Sequence, residues 1–100
     1  MLTISEISHR LVPIFDKNNV KKAILFGSYA SNEATENSDV DLLVDTEDHI
    51  KGLKLFGILA EIKEALNLDV DLIVQRMLIK NSDIDIEIKS KGVVIYEKTS

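Results

Sequence analysis

The stretch LFGSYASNEATENSDVDLLVD, residues 25–45, carries the strongest signal in the sequence. An apolar segment ends in Gly27-Ser28, and a small, polar connection then leads to Asp39 and Asp41 at the start of a second apolar run. Glycine at a strand end lets the backbone approach a ligand closely. A short helix beginning at Ser28 would direct backbone N–H groups at an anion. The stretch therefore predicts a phosphate-holding turn beside a pair of carboxylates.

A third carboxylate is expected at the same place. The segment LDVDLIV, residues 68–74, has the pattern of another apolar strand, with Asp69 and Asp71 on one side. If this strand lies next to the first, Asp71 joins Asp39 and Asp41. Three anions in one cleft repel each other, whereas two Mg²⁺ ions bound by their oxygens can assist phosphoryl transfer. Solvent-facing acids on an edge strand are the plainer alternative.

The rest of the chain alternates between helix and strand patterns. Thr3 and Glu6 have the spacing of a capping box, and Pro13 should kink or shorten the helix that follows. The predicted helices are 4–17, one turn after Gly27, 50–66 and 79–91, and the predicted strands are 21–27, 39–45, 68–74 and 92–97. Residues 84, 86 and 88 in the segment 79–91 alternate like a strand, but Ser82 as a possible cap favours a helix there. Cap chemistry for the helix at 50–66 is expected from Asp45, Thr46 and Asp48. Helices interleaved with short strands indicate one α/β or α+β domain over residues 1–100.

Composition limits the classes of function. The 100 residues carry a net charge of −5 and contain no cysteine, which excludes disulfides and fits a reducing cytoplasm. No apolar run approaches the roughly 20 residues of a membrane span, and the N-terminus lacks the features of a signal peptide. The cations are scattered, so stable binding of nucleic acid by the chain alone is not expected. An acidic protein that handles anionic substrates would need to recruit cations.

Several other polar residues have plain interpretations. Tyr29 could stack on a base, but packing in the core is favoured. The isolated histidines are interpreted as surface residues and assigned to no metal: His9 and His49. The late acidic residues are interpreted as a solvated helix face or as acids of a helix N-terminus: Asp83, Asp85 and Glu87.

The combined pattern resembles the nucleotidyltransferases related to DNA polymerase beta, and among them the minimal nucleotidyltransferases, known as MNT or MntA-like proteins. The family stretch G-S-x-A-(R-G)-x-A-x-x-x-S-D-[IVL]-D-L is matched at Gly27, Ser28, Ala30, Ala34, Ser38, Asp39, Asp41 and Leu42. VDLIV at 70–74 is similar to the strand that carries the third metal-binding carboxylate. The resemblance covers nearly the whole chain and implies a small mixed β-sheet of about four strands backed by helices.

The resemblance also implies an activity and a set of site residues. The implied reaction transfers a nucleoside monophosphate from ATP or another NTP to a hydroxyl group, with two Mg²⁺ ions bound and pyrophosphate leaving. The implied catalytic and metal-binding residues are Asp39, Asp41 and Asp71, and the implied nucleotide-binding residues are Gly27, Ser28 and Ser38. Asp71 would also help to deprotonate the acceptor.

The resemblance further implies a partner, because MNT proteins commonly pair with a HEPN-domain toxin. The chain would then be an antitoxin that transfers AMP to its toxin. Ser31-Asn32 stands where many relatives have Arg-Gly, and serine cannot replace the charge or the fork of arginine. A non-catalytic module that neutralises a HEPN toxin by binding is therefore the alternative, and transfer to RNA or an antibiotic is less favoured. The nucleobase, the acceptor and a homo-oligomeric state stay open.

Overall fold

The computed structural model describes residues 1–47 and 49–98. The helices are α1 (Ile4–Lys17), α2 (Gly27–Ala30), α3 (Leu53–Leu66) and α4 (Asp83–Lys91), and a 3-10 turn spans Gln75–Met77. The strands are β1 (Lys22–Phe26), β2 (Val40–Asp45), β3 (Val70–Val74) and β4 (Val93–Glu97). Each predicted helix and strand is present, which confirms the predicted α/β fold. In the described residues, no helix has the length and apolar character needed to cross a membrane.

The four strands form one mixed sheet in the order β3-β2-β1-β4. Strand β1 is antiparallel to β2 and to β4, whereas β2 and β3 are parallel. The mixed sheet implied by the family resemblance is therefore confirmed. Because β3 is an edge strand, the side chains at its N-terminal end can be reached from outside the sheet.

The two faces of the sheet are covered unequally. One face packs against α1 and α3, and its buried core includes Leu11, Phe15, Leu42 and Ile62. The other face carries a much smaller apolar cluster formed by Phe26, Leu43 and Ile88, the last of which belongs to α4. Side chains alternate along a strand, so Asp41 lies on the same face as Leu43. Because this apolar cluster is small, polar residues such as Asp41 occupy the end of the second face.

Helix α1 begins as predicted but does not end early. Thr3 Oγ1 accepts a hydrogen bond of 3.1 Å from Glu6 N, and Thr3 N donates one of 3.0 Å to Glu6 Oε1, which completes the capping box. The helix continues through Pro13 to Lys17, so the expected shortening at Pro13 is wrong. Pro13 is exposed, and water can therefore satisfy the backbone carbonyl that loses its partner there.

The predicted start of α3 is also wrong. The helix begins at Leu53 after Gly52, whose φ of 58° favours glycine, and no side chain caps it. Asp45 instead accepts a hydrogen bond of 2.9 Å from Glu47 N in the turn after β2. The side-chain oxygen of Thr46 is buried and has no hydrogen-bond partner among the described residues. Asp48 lies outside the described residues. Asp45 and Thr46 therefore do not form the expected N-terminal cap of α3.

Helix α4 has the predicted cap but a less solvated acidic face than expected. Ser82 Oγ accepts a hydrogen bond of 3.2 Å from Asp85 N. Asp85 is buried rather than solvated, because its carboxylate accepts 2.7 Å from Asn81 N and pairs with Lys89 at 3.0 Å. The hydrogen bond from Asn81, followed by Lys89, lowers the pKa of Asp85. These contacts are local to the N-terminal half of α4, whereas Ile88 packs the helix against the second face.

Gly92 provides a test of how α4 is packed against β1. An added Cβ at Gly92 would collide with the carbonyl oxygen of Ile88 and would lie 2.8 Å from Cγ2 of Ile24. We expect Gly92→Ala to lower the free energy of unfolding by about 1–3 kcal/mol. The matched control is Gly57→Ala in α3, where a Cβ meets nothing within 4 Å and should be neutral or stabilising by up to about 1 kcal/mol. Urea denaturation measures both, and equal stabilities of the two variants would contradict the packing.

Candidate active site

The strand register brings the predicted carboxylates to one end of the sheet. Asp41 pairs with Asp71 across the parallel strands β2 and β3, and with Phe26 across β1 and β2. Register partners point to the same face of a sheet, so the side chains of Asp41 and Asp71 lie side by side. Asp39 precedes Asp41 by two residues, and Gly27 follows Phe26. The residues predicted to converge therefore share this end of the sheet.

Gly27 allows the carboxylate of Asp41 to lie directly against the turn. An added Cβ at Gly27 would overlap Oδ2 of Asp41 and would stand 3.1 Å from its Cγ. The φ of Gly27 is also 73°, a value that favours glycine. Both the backbone conformation and the closeness of Asp41 thus require glycine here, whereas the predicted close approach of the turn to a phosphate stays a prediction.

The carboxylates interact strongly with one another. Burial is the largest cause that raises the pKa of Asp41, to about 6. Repulsion from Asp71, Asp39 and Glu87 follows in that order, and a hydrogen bond with Asp71 adds to the shift. The half-buried carboxyl group of Asp41 therefore lies close to three further acids, in surroundings that destabilise its ionised form.

The donor set fits a hard divalent cation by its chemistry. In the part of the chain that the structure describes, no group of three or more His, Cys, Asp or Glu side chains is arranged ready to hold a metal ion. Burial and, after it, repulsion from the nearby carboxylates raise the pKa of Asp41 and so disfavour its ionised form. A cation with oxygen ligands would remove this repulsion. Asp39, Asp41 and Asp71 are the residues that would hold it.

The N–H group of the Gly27 turn is already hydrogen bonded. Gly27 N donates to Oε2 of Glu87 over 3.0 Å, although 60 residues separate them. Glu87 is exposed, as its interpretation as part of a solvated helix face expects, but its contact with Gly27 N is an addition that the sequence does not predict. No local sequence pattern could reveal it, because it depends on how α4 packs on the sheet. Ser28 follows Gly27 at the start of α2 and lies half-buried beside the same turn.

Two further serines, Ser31 and Ser38, form hydrogen bonds in the segment that follows the turn. Ser31 Oγ lies 3.2 Å from the carbonyl oxygen of Gly27 and 3.3 Å from that of Ser28, to which it can donate. Ser38 Oγ accepts a hydrogen bond of 2.8 Å from Thr35 N. Its predicted contact with nucleotide stays a prediction. Tyr29 is 5% exposed and packs in the main core, as favoured by its sequence.

Two open pockets border residues of the candidate site. The first has a volume of about 460 Å³ and borders Asp39; its other lining residues are Glu36, Asn37, Ser38, Lys63, Asn67, Leu68 and Asp69. The second has a volume of about 340 Å³ and lies at the turn, where it is lined by Gly27, Ser28, Ser31, Glu33, Glu87 and Lys91. Asp39 and the Gly27-Ser28 turn thus each border a space that can receive substrate groups.

Residues 9–100 match the family model described as "Polymerase beta, Nucleotidyltransferase". The chain belongs to the polymerase beta nucleotidyltransferase family. This membership agrees with the resemblance based on residues 27–42 and 70–74. It places the carboxylates and the glycine turn in a domain of the nucleotidyltransferase class.

Two curated relatives come from Methanocaldococcus jannaschii, and both are named as candidate protein adenylyltransferases. One, MJ0435, is 50% identical over 44 residues, which are 44% of this chain and 47% of the relative. The other, MJ0126, is 45% identical over 58 residues, which are 54% of this chain and 59% of the relative. The chain thus spans about half the length of the curated relatives that it matches.

Solved structures with the same fold include chains from toxin–antitoxin complexes. A chain from a toxin–antitoxin structure with AMP-PNP has a TM-score of 0.75 and 22% identity over 91% of this chain and 73% of its own. A structure described as a candidate minimal nucleotidyltransferase has a TM-score of 0.78 and 21% identity over 92% and 95%. A chain from a complex of an MNT antitoxin with the tri-AMPylated HEPN toxin of Shewanella oneidensis has a TM-score of 0.70 and 19% identity over 96% and 74%. At these identities the likeness establishes the fold.

The raised pKa of Asp41 predicts that the metal-free protein loses stability as the pH rises. The pKa of Asp41 is raised from the ordinary value of 3.8 to about 6 in the folded protein. The contribution to stability is therefore fully present below about pH 3.8 and is lost as the pH rises through about 6. Asp41→Asn should abolish this loss. In EDTA at about pH 7.5 we expect the variant to gain ~1 kcal/mol, a figure reduced for the partial exposure of the group.

Thermal melting across pH measures this effect. Asp45→Asn, on the same strand and face but at the far end of β2, should keep the profile of the wild type. Identical pH profiles of the wild type and Asp41→Asn would show that the carboxylates do not repel as described.

Proposed function

We propose that this protein transfers AMP from ATP to a hydroxyl group of a partner protein. The observation that carries the proposal is the placement of Asp39, Asp41 and Asp71 beside the Gly27-Ser28 turn. Asp41 touches the turn, and Asp71 is its register partner. The carboxylates would hold two Mg²⁺ ions, which supply charge stabilisation to the phosphorus under attack and to the leaving oxygen when they are bound.

The chain's own residues have distinct parts in this reaction. Gly27 and Ser28 line the pocket at the turn, where they would contact the β- and γ-phosphates. The acceptor oxygen forms a bond to the α-phosphorus, the bond from that phosphorus to the bridging oxygen breaks, and pyrophosphate leaves. Asp71 is exposed at the edge strand β3, so an acceptor hydroxyl can reach it from outside and transfer its proton to the carboxylate.

The proposed partner is a HEPN-domain toxin, and this chain would be its antitoxin. Support comes from the fold shared with chains of toxin–antitoxin complexes, one of which is named for a tri-AMPylated HEPN toxin. Curated relatives named as candidate protein adenylyltransferases support transfer to a protein. The proposal includes one nucleotidyltransferase domain over residues 1–100, ATP binding, and a cytoplasmic setting without stable binding of nucleic acid.

A second candidate is a non-catalytic antitoxin that neutralises a HEPN toxin by forming a complex. The observation that favours it is the inward position of Ser31, which stands where many relatives have arginine. Its hydroxyl group is within hydrogen-bonding distance of backbone oxygens of the turn. Because serine is uncharged, it offers a triphosphate no positive charge. The grip on the nucleotide could then be too weak for turnover.

Transfer of label from α-³²P-ATP to a co-purified HEPN partner tests the catalytic proposal. We expect a labelled partner with Mg²⁺ and no label with EDTA. Asp71→Asn should lower the rate of labelling at least ~100-fold, because it removes a proposed metal ligand and proton acceptor. Asp45→Asn, an acid on β2 at the opposite end of the sheet, should retain the wild-type rate. An intact complex that gives no label with Mg²⁺ would contradict the proposal.

The double variant Asp39→Asn with Asp41→Asn separates the two candidates. If catalysis neutralises the toxin, the variant should still form the complex but should lose neutralisation in a growth assay. The neutral amides keep the size of the side chains, and loss of repulsion at Asp41 should not reduce stability. Neutralisation that survives at the wild-type level would favour the binding module.

A further inference from the structure

Helix α4 presents two residues of opposite charge to the turn. Glu87 and Lys91 are four residues apart, so they lie one above the other on one side of the helix. Both line the pocket of about 340 Å³ that also contains Gly27 and Ser28. Neither residue belongs to the predicted catalytic, metal-binding or nucleotide-binding set. The family pattern quoted above also ends before this helix.

The carboxylate of Glu87 resembles a phosphate oxygen in its contact with the turn. It accepts the hydrogen bond of Gly27 N over 3.0 Å, which is the backbone donor that a phosphate at this turn would need. Its negative charge also lies close enough to Asp41 to contribute to the raised pKa of that residue. A triphosphate would meet both the occupied N–H group and the added charge.

Lys91 is the one cation among the lining residues of this pocket. Within residues 1–47 and 49–98, the ion pairs join Lys17 to Glu61, Lys21 to Glu47 and Lys89 to Asp85, and Lys91 belongs to none of them. Its ammonium group is therefore available to a ligand. Ser31, at the position where many relatives have arginine, contributes no charge. Lys91 supplies a positive charge to the same pocket from a different part of the chain.

We propose that α4 forms part of the triphosphate site: phosphate displaces Glu87 from Gly27 N and pairs with Lys91. Glu87 thereby lowers the affinity for nucleotide, and Lys91 raises it. The inference rests on the proposed nucleotide-binding function. It also explains how a chain with serine at position 31 can hold a triphosphate. A purely structural role for Glu87, as a brace between α4 and the turn, predicts weaker rather than tighter binding when the contact is lost.

Calorimetric titration of the purified chain with Mg-ATP, without an acceptor, tests the proposal. We expect Glu87→Ala to bind about five-fold more tightly than the wild type, because Gly27 N is free and one repulsive charge is gone. We expect Lys91→Ala to bind about ten-fold more weakly. The opposite signs of the two effects distinguish the proposal from general disturbance of α4.

Matched controls separate specific contacts from net charge. Glu33→Ala removes an acid of the same pocket for which no contact with Gly27 N is found. Lys89→Ala removes a cation from the same helix that is paired with Asp85. Both should change affinity less than about two-fold, and melting temperatures should show that every variant is folded. Chemical-shift changes of the Gly27 amide should accompany nucleotide binding.

The outcomes distinguish the two proposals. A wild-type chain that binds no Mg-ATP would overturn both the proposed function and this inference. Binding by the wild type, with Glu87→Ala no tighter than Glu33→Ala, would overturn the role of Glu87 while leaving the proposed function intact. Binding in which Lys91→Ala equals Lys89→Ala would likewise overturn the role of Lys91 alone.

Discussion

The contact between the carboxylate of Asp41 and the α-carbon of Gly27 is the constraint on which the site depends. No side chain larger than hydrogen fits between them, and the φ of 73° at Gly27 independently favours glycine. The antiparallel register of β1 and β2 sets Phe26 opposite Asp41, so the next residue must turn away over the carboxylate. The parallel register of β2 and β3 then adds Asp71. Sheet geometry, rather than a flexible loop, thus fixes the distance between the turn and the acids.

Because the two faces of the sheet are covered unequally, the protein can accommodate mutually repelling carboxylates on one of them. Burial of a large apolar cluster against α1 and α3 provides most of the stabilisation. The second face can therefore keep a group of mutually repelling carboxylates at its end, where the pKa of Asp41 is raised to about 6. Helix α4 packs on that face through Ile88 and is joined to the turn by the hydrogen bond between Gly27 and Glu87. Stability and chemistry are thus assigned to opposite sides of one sheet.

The features that could be predicted from the sequence are those set by local periodicity. The pairs Asp39-Asp41 and Asp69-Asp71 stand at the starts of apolar strands, and the period of two fixes which side chains share a face. The capping box of α1 and the N-cap of α4 are likewise encoded within four residues. The start of α3 was placed too early because a glycine with positive φ, rather than a polar cap, precedes it.

Features that depend on tertiary packing could not be predicted in this way. The hydrogen bond from Gly27 to Glu87 joins positions 60 residues apart, and nothing in the sequence near Glu87 distinguishes it from a solvated helix acid. Pro13 was expected to shorten α1, but its exposed position makes the lost backbone hydrogen bond inexpensive. Asp85 lies in the first turn of α4, which agrees with its interpretation as an acid of a helix N-terminus, but its burial depends on packing that local sequence does not show.

The central claim is that Asp39, Asp41 and Asp71 bind divalent cations together at the Gly27 turn. Paramagnetic broadening of ¹⁵N-labelled amide signals by substoichiometric Mn²⁺ tests it most directly, since Mn²⁺ takes the same oxygen ligands as Mg²⁺. Broadening should appear first at the amides of Gly27, Asp39, Asp41 and Asp71 and should disappear on addition of excess Mg²⁺. Broadening centred on other acidic surfaces, or spread evenly over them, would contradict the account.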